Sequence, residues 1–108
     1  MQRGNMYTDT AAQHAMLQLN DPTDNCRFGI LQAQEGICGA RTAMVKDPGN
    51  QASYNSKINC LQQQITILQD AVARMEAIDQ QTATHPELAN PQKARIYLTV
   101  MNTMPRCD

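Results

Sequence analysis

Between Tyr54 and Gln81 the apolar positions fall at Ile58, Leu61, Ile65, Leu68, Val72 and Met75, in steps of three and four. That is the repeat of a helix with one apolar seam; a strand would alternate instead. A weaker second line, Cys60, Ile67, Ala71 and Ile78, lies about 100° around the same helix, so it needs neighbours on two sides. Upstream, Gly29, Ala33, Gly36, Ala40 and Ala43 recur at the same steps. Ile30, Ile37 and Met44 run on one flank of that stripe, and Leu31, Cys38 and Val45 on the other. Small residues at helical spacing let a partner backbone approach closely, which predicts a helix over 22–46 packed on a helix over 54–81.

Punctuation between these segments agrees. Asp21 is a helix cap and Pro22 suits the first helical position, where no N–H is missed. Lys46-Asp47-Pro48-Gly49-Asn50 is a turn in which Gly49 is expected to supply a positive φ, with Ser53 or Asn55 capping the next helix. Thr82 to Asn90 is a connector. Asn90 and Pro91 then start a helix over 91–104, with Tyr97, Val100, Met101 and Met104 facing inward. At the other end, Thr10 and Gln13 form a capping-box pattern ahead of Ala12, Ala15, Met16 and Leu19, predicting a short helix over 10–20. Residues 1–9 are expected to be a flexible arm. The expected fold is all-α: an antiparallel helical hairpin within a small bundle of about four helices, forming one domain over 10–108.

Composition narrows the class. Of 108 residues 42% are hydrophobic but only 4% aromatic, with no Trp and one Phe, so the core is aliphatic, as helix packing favours. A net charge of −1 offers nothing to a polyanion, and nucleic acid is not an expected partner. No apolar run reaches the roughly 20 residues that span a bilayer. The segment Met1 to Asn5 lacks a signal-peptide core, so an exported protein would already have lost its signal.

Four cysteines decide the expected compartment. Cys26, Cys38, Cys60 and Cys107 have no C-x-x-C spacing, which excludes zinc-knuckle and thioredoxin-type motifs. Two structural disulfides in an oxidising compartment are expected, with buried thiols of a cytosolic protein as the alternative. Folding the hairpin at Pro48-Gly49 makes residues whose numbers sum to about 98 neighbours, which sets Cys38 level with Cys60. The last helix returns Cys107 to the level of about residue 65, and Cys26 lies level with about residue 71. The expected pairs are therefore Cys38–Cys60 and Cys26–Cys107.

No catalytic, cofactor-binding or metal-ligating residue is expected. Ser53 and Ser56 lie at a helix start without a base nearby, and His14 and His85 lack H-x-x-x-H or H-E-x-x-H spacing. Asp21, Asp24, Glu35, Asp47, Asp70, Glu76, Asp79 and Glu87 form no acid/base pair. The glycines occur singly, and the seven Met sit mostly at core spacing. An uncharged surface rich in Gln, including Gln32, Gln34, Gln62-Gln63-Gln64 and Gln80-Gln81, suits a wet protein contact.

The helix–Lys46-Asp47-Pro48-Gly49-Asn50–helix unit resembles the hairpin of type III secretion needle subunits, over the turn and the adjoining turns of helix. Those subunits are shorter and lack this set of cysteines. In its Gln-rich texture the long helix is similar to minor pilus subunits of type IV secretion systems, a likeness that implies a periplasmic, helical, non-enzymatic protein. The leading expectation is thus a non-enzymatic exported helical protein, periplasmic or secreted, that binds a protein partner or itself, as in a bacterial envelope or secretion assembly. The alternatives are an inhibitor or immunity-type protein acting through Thr82 to Asn90, and a cytosolic adaptor with reduced thiols.

Overall fold

The computed structural model describes residues 21–107. The arm over 1–9 and the helix expected over 10–20 lie outside the described residues. Three α-helices follow in order: α1 (Pro22–Lys46), α2 (Gln51–Gln81) and α3 (Ala89–Thr103). Short 3-10 turns, Pro48–Asn50 and Pro86–Leu88, join them. No strand occurs among the described residues, and none of their helices is long and apolar enough to cross a membrane.

α1 starts as its sequence dictates. Asp21 accepts a hydrogen bond from the Thr23 N–H at 2.9 Å, and Pro22 occupies the first turn. The three glycines do not break the helix, because two of them are where α2 packs. A Cβ on Gly29 would stand 3.1 Å from Leu68 Cδ1, and one on Gly36 would stand 3.0 Å from Leu61 Cδ1. Two leucines seven residues apart thus seat on two glycines seven residues apart. Gly39 has open space around its Cβ position and simply faces outward.

The hairpin bend differs from expectation. Gly49 does not take a positive φ; Pro48–Asn50 winds as a 3-10 turn that runs straight into α2. α2 therefore begins at Gln51 rather than at 54, and Ser53 and Asn55 lie inside it instead of capping it. Asp47 organises the bend instead. Its N–H donates to Ala43 O at 2.8 Å and closes α1, while its carboxylate accepts from Asn50 Nδ2 at 2.7 Å and Tyr54 OH at 3.4 Å. α3 likewise begins at Ala89, with Asn90 and Pro91 in its first turn rather than at its cap. The first four N–H groups of a helix have no intrahelical acceptor, so proline there loses no bond.

The core has two parts. At one end Cys26, Leu68, Ala71, Met75, Tyr97 and Val100 are buried where all three helices meet. Towards the bend Ala33, Ile37, Ala40, Ile58 and Leu61 are buried between α1 and α2. The expected inward stripe of α3 is correct at Tyr97 and Val100, with Met101 and Met104 half-buried beside it.

Candidate functional site

α3 is only 15 residues long, and after Thr103 the chain leaves the helix and lies along α2. Gln64 Nε2 donates to Pro105 O at 2.7 Å, and Cys107 bonds to Cys60. This strap and α3 cover one flank of the hairpin. The opposite flank, beside the bend, stays open. There Gln34, Ile37, Cys38, Arg41, Thr42 and Val45 of α1 face Gln62 and Ile65 of α2 across a groove of about 610 Å³. Its floor is apolar through Ile37 and Ile65, and its rim is polar through the glutamines, Thr42 and Arg41.

The open flank explains why the expected disulfides do not form. Cys38 and Cys60 are close to level, as the seating of Gly36 on Leu61 requires. They point to opposite flanks. At about 100° per residue, Cys60 is rotated some 140 to 160° from Gln62 and Ile65, the residues Cys38 faces across the groove. Height along the hairpin was the right criterion, but azimuth decides the bond. Cys26 is wholly buried in the three-helix core, while Cys107 packs near the bend against the other core. The bond observed is Cys60–Cys107, closing 47 residues of sequence, and Cys26 and Cys38 are free thiols, buried and exposed respectively. One bridge stands where two were expected.

The two thiols differ chemically. Burial pushes the Cys26 thiol up to about 11, which leaves almost no thiolate near neutrality. Cys38 stands on the surface of α1 at the edge of the groove.

A polar cluster at the far end escaped the sequence reading. Lys93 is 5% exposed, yet its ammonium lies 2.8 Å from Asp21 Oδ1 and 3.1 Å from Asp79 Oδ2. One cation thus ties the start of α1, the end of α2 and the start of α3. Burial opposes the charge on Lys93, but hydrogen bonds to Asp21 and Asp79 outweigh it and raise its pKa. Burial likewise opposes the charge on Asp21, and the bonds from Lys93 and Thr23 overcome it and lower its pKa. The signal was in the sequence: Lys93 precedes Tyr97, Val100 and Met104 at steps of four, three and four, on the inward stripe. The geometry is that of a structural clamp, since all three polar groups are satisfied by one another.

The remaining candidates are dispersed. His85 Nδ1 lies 3.4 Å from Glu87 Oε1, both well exposed in the connector. Leu88 beside them is half exposed. Ser53 and Ser56 are exposed on the first turns of α2, and His14 lies outside the described residues. No group of three or more His, Cys, Asp or Glu among the described residues is placed to hold a metal ion. The chain matches no protein-family model, no curated protein and no solved structure.

Proposed function

We propose that this chain is a non-enzymatic helical protein that works by binding protein in an oxidising compartment, within an assembly of the bacterial envelope or secretion type. The observation that carries this reading is the asymmetry of the hairpin. One flank is covered by α3 and a disulfide-anchored strap, and the other is left with an apolar floor and a neutral, hydrogen-bonding rim. A long, shallow groove between two helices suits another protein surface better than a small molecule, which needs enclosure on several sides. The Cys60–Cys107 bridge supports the oxidising compartment, since such bonds persist where thiols are not kept reduced.

Thiol trapping in the native host tests the compartment. Alkylating freshly isolated protein under denaturing conditions should leave Cys60 and Cys107 unlabelled until reductant is added; four labelled thiols would remove the exported reading. A photo-reactive residue at Gln62, on the groove, tests the binding role against one at Gln80, which is exposed on α2 away from it. Adducts specific to Gln62 are expected. Equal labelling at both positions would count against a binding role for the open flank.

A further inference from the structure

Past Met104 the strap is held by very little besides sulfur. Met104 itself stays with α3: its N–H donates to Val100 O at 2.8 Å, and its side chain packs on the three-helix core. Beyond it, Pro105 has no N–H to give, and among the described residues no backbone hydrogen bond ties 105–107 to either helix. The bond from Gln64 to Pro105 O is neutral, and its net worth in water does not offset the freedom lost in fixing three residues. Cys60 Sγ lies 3.2 Å from Arg106 O, but a thiol is a weak donor. The Cys60–Cys107 link therefore sets the place of the strap. Both of its cysteines are only half-buried, unlike the wholly buried Cys26, which leaves the bond open to a thiolate from solvent.

We infer that the Cys60–Cys107 bond is a redox latch: an external dithiol opens it in the folded protein, frees the strap and loosens the bend half, while the three-helix end stays closed. This goes beyond the binding role and does not depend on it. The two halves respond differently because Cys107 packs on the bend core of Ala33, Ile37, Ala40, Ile58 and Leu61, whose other flank is the open groove. Without the strap, that core loses its cover on the second flank as well. The contacts that close the far end, around Met75 and Tyr97 and at the Lys93 clamp, involve no residue beyond Met104. Cys38 points to the opposite flank and is not placed to attack, so the electrons come from a second molecule. One thiolate of the dithiol attacks one sulfur of the bond, forming a mixed disulfide and releasing the other cysteine as a thiolate. The second thiolate of the dithiol then displaces the first cysteine. The reagent leaves as a cyclic disulfide, and its two protons end on Cys60 and Cys107. Ile37 and Ile65 of the groove belong to the loosened half, so the state of the bond also governs how firmly they face each other.

Dithiothreitol tests this on the purified full chain, with intact mass counting the bond. In dilute urea, below the unfolding transition, the rate of reduction should change by less than about twofold, because attack occurs on folded protein. After reduction the helical circular dichroism should persist. Amide exchange should quicken by about tenfold or more over 34–45, 53–65 and 106–107, and stay within about twofold around Tyr97. Oxidised glutathione should reverse the change, and Cys60→Ser/Cys107→Ser should reproduce it without reductant. A reduction rate that climbs steeply with urea would overturn the inference, since the bond would then break only in unfolded chains. Loss of helix on reduction, or equal acceleration around Tyr97, would overturn it too, by making the bond a staple of the whole fold. Unchanged exchange over the strap would do the same, by showing that the strap is held without the bond.

Discussion

The two ends of this molecule solve the same packing problem with different means. At the three-helix end, Leu68, Met75 and Tyr97 are closed in on every side and the Lys93 clamp ties three element ends together. Near the bend only two helices meet. Their contact relies on Ala33, Gly36 and Ala40, which bring the backbones close, and on Cys60–Cys107, which pins the strap over one flank. The first end is held by volume and the second by proximity and a covalent link. An end short of apolar bulk gains from restricting the unfolded chain more than from any contact it still makes.

This contrast can be broken most sharply at Leu68. Leu68→Asp places an unpaired charge at a position 2% exposed and should unfold the chain, seen as loss of helical circular dichroism. Truncation grades the two ends: Leu68→Ala should cost about 4 kcal/mol and Leu61→Ala about 2 to 3, because the site beside Gly36 and the open flank can relax. Equal losses in chemical denaturation would mean the two halves are not different in kind. Replacing both Cys60 and Cys107 by Ser should cost up to about 4 kcal/mol on the chain-entropy account. Amide exchange should rise first over 53–65 and over the strap, while the Tyr97 region changes only as global stability falls. Protection lost first around Tyr97 would reverse the assignment.

Smaller effects sharpen the picture. The lowered pKa of Asp21 gives stability that is present above the unfolded value near pH 4 and is lost as pH falls through the folded one. The raised pKa of Lys93 gives stability that is full below about pH 10.4 and is lost as pH rises through the folded value. The buried Cys26 thiol, raised to about 11, adds an alkaline loss that begins near its unfolded value of about 8.5, so stability should be flat only from about pH 4 to about pH 8.5. Lys93→Met should remove the Lys93 share of the alkaline limb, leave that of Cys26, and shrink the acid limb, as followed by melting temperature across pH. The smallest change expected is a gain: Gly39→Ala meets open space on α1 and should stabilise by up to about 1 kcal/mol.

Much of this arrangement was legible from spacing. The seam of α2, the small-residue face of α1 and the limits of α1 at Pro22 and Lys46 follow from periodicity and caps, because burial of one helical face imposes a repeat on the sequence. The bend was legible in position but not in conformation. Pro-Gly is compatible with several turns, and the 3-10 form is accompanied by bonds from Asn50 and Tyr54 to the Asp47 carboxylate that turn composition alone does not specify. The disulfide partner was not legible, since a cysteine's height comes from residue count but its flank depends on how α2 rolls against α1. Of the candidate site, the line Leu31, Cys38, Val45 was visible as a stripe. That it faces outward depends on where α3 and the strap lie.

The burial of Cys26 has a consequence for oxidative maturation. Four thiols allow several wrong bonds, and a chain of this size has little other structure to reject them. Once the helices close around Met75 and Tyr97, one thiol is withdrawn from exchange both sterically and by its lack of thiolate. The remaining three include a single pair on a common flank. Packing thus acts as the proofreader of the covalent bond, and a variant with Cys26 brought to the surface should mature into scrambled isomers rather than one product.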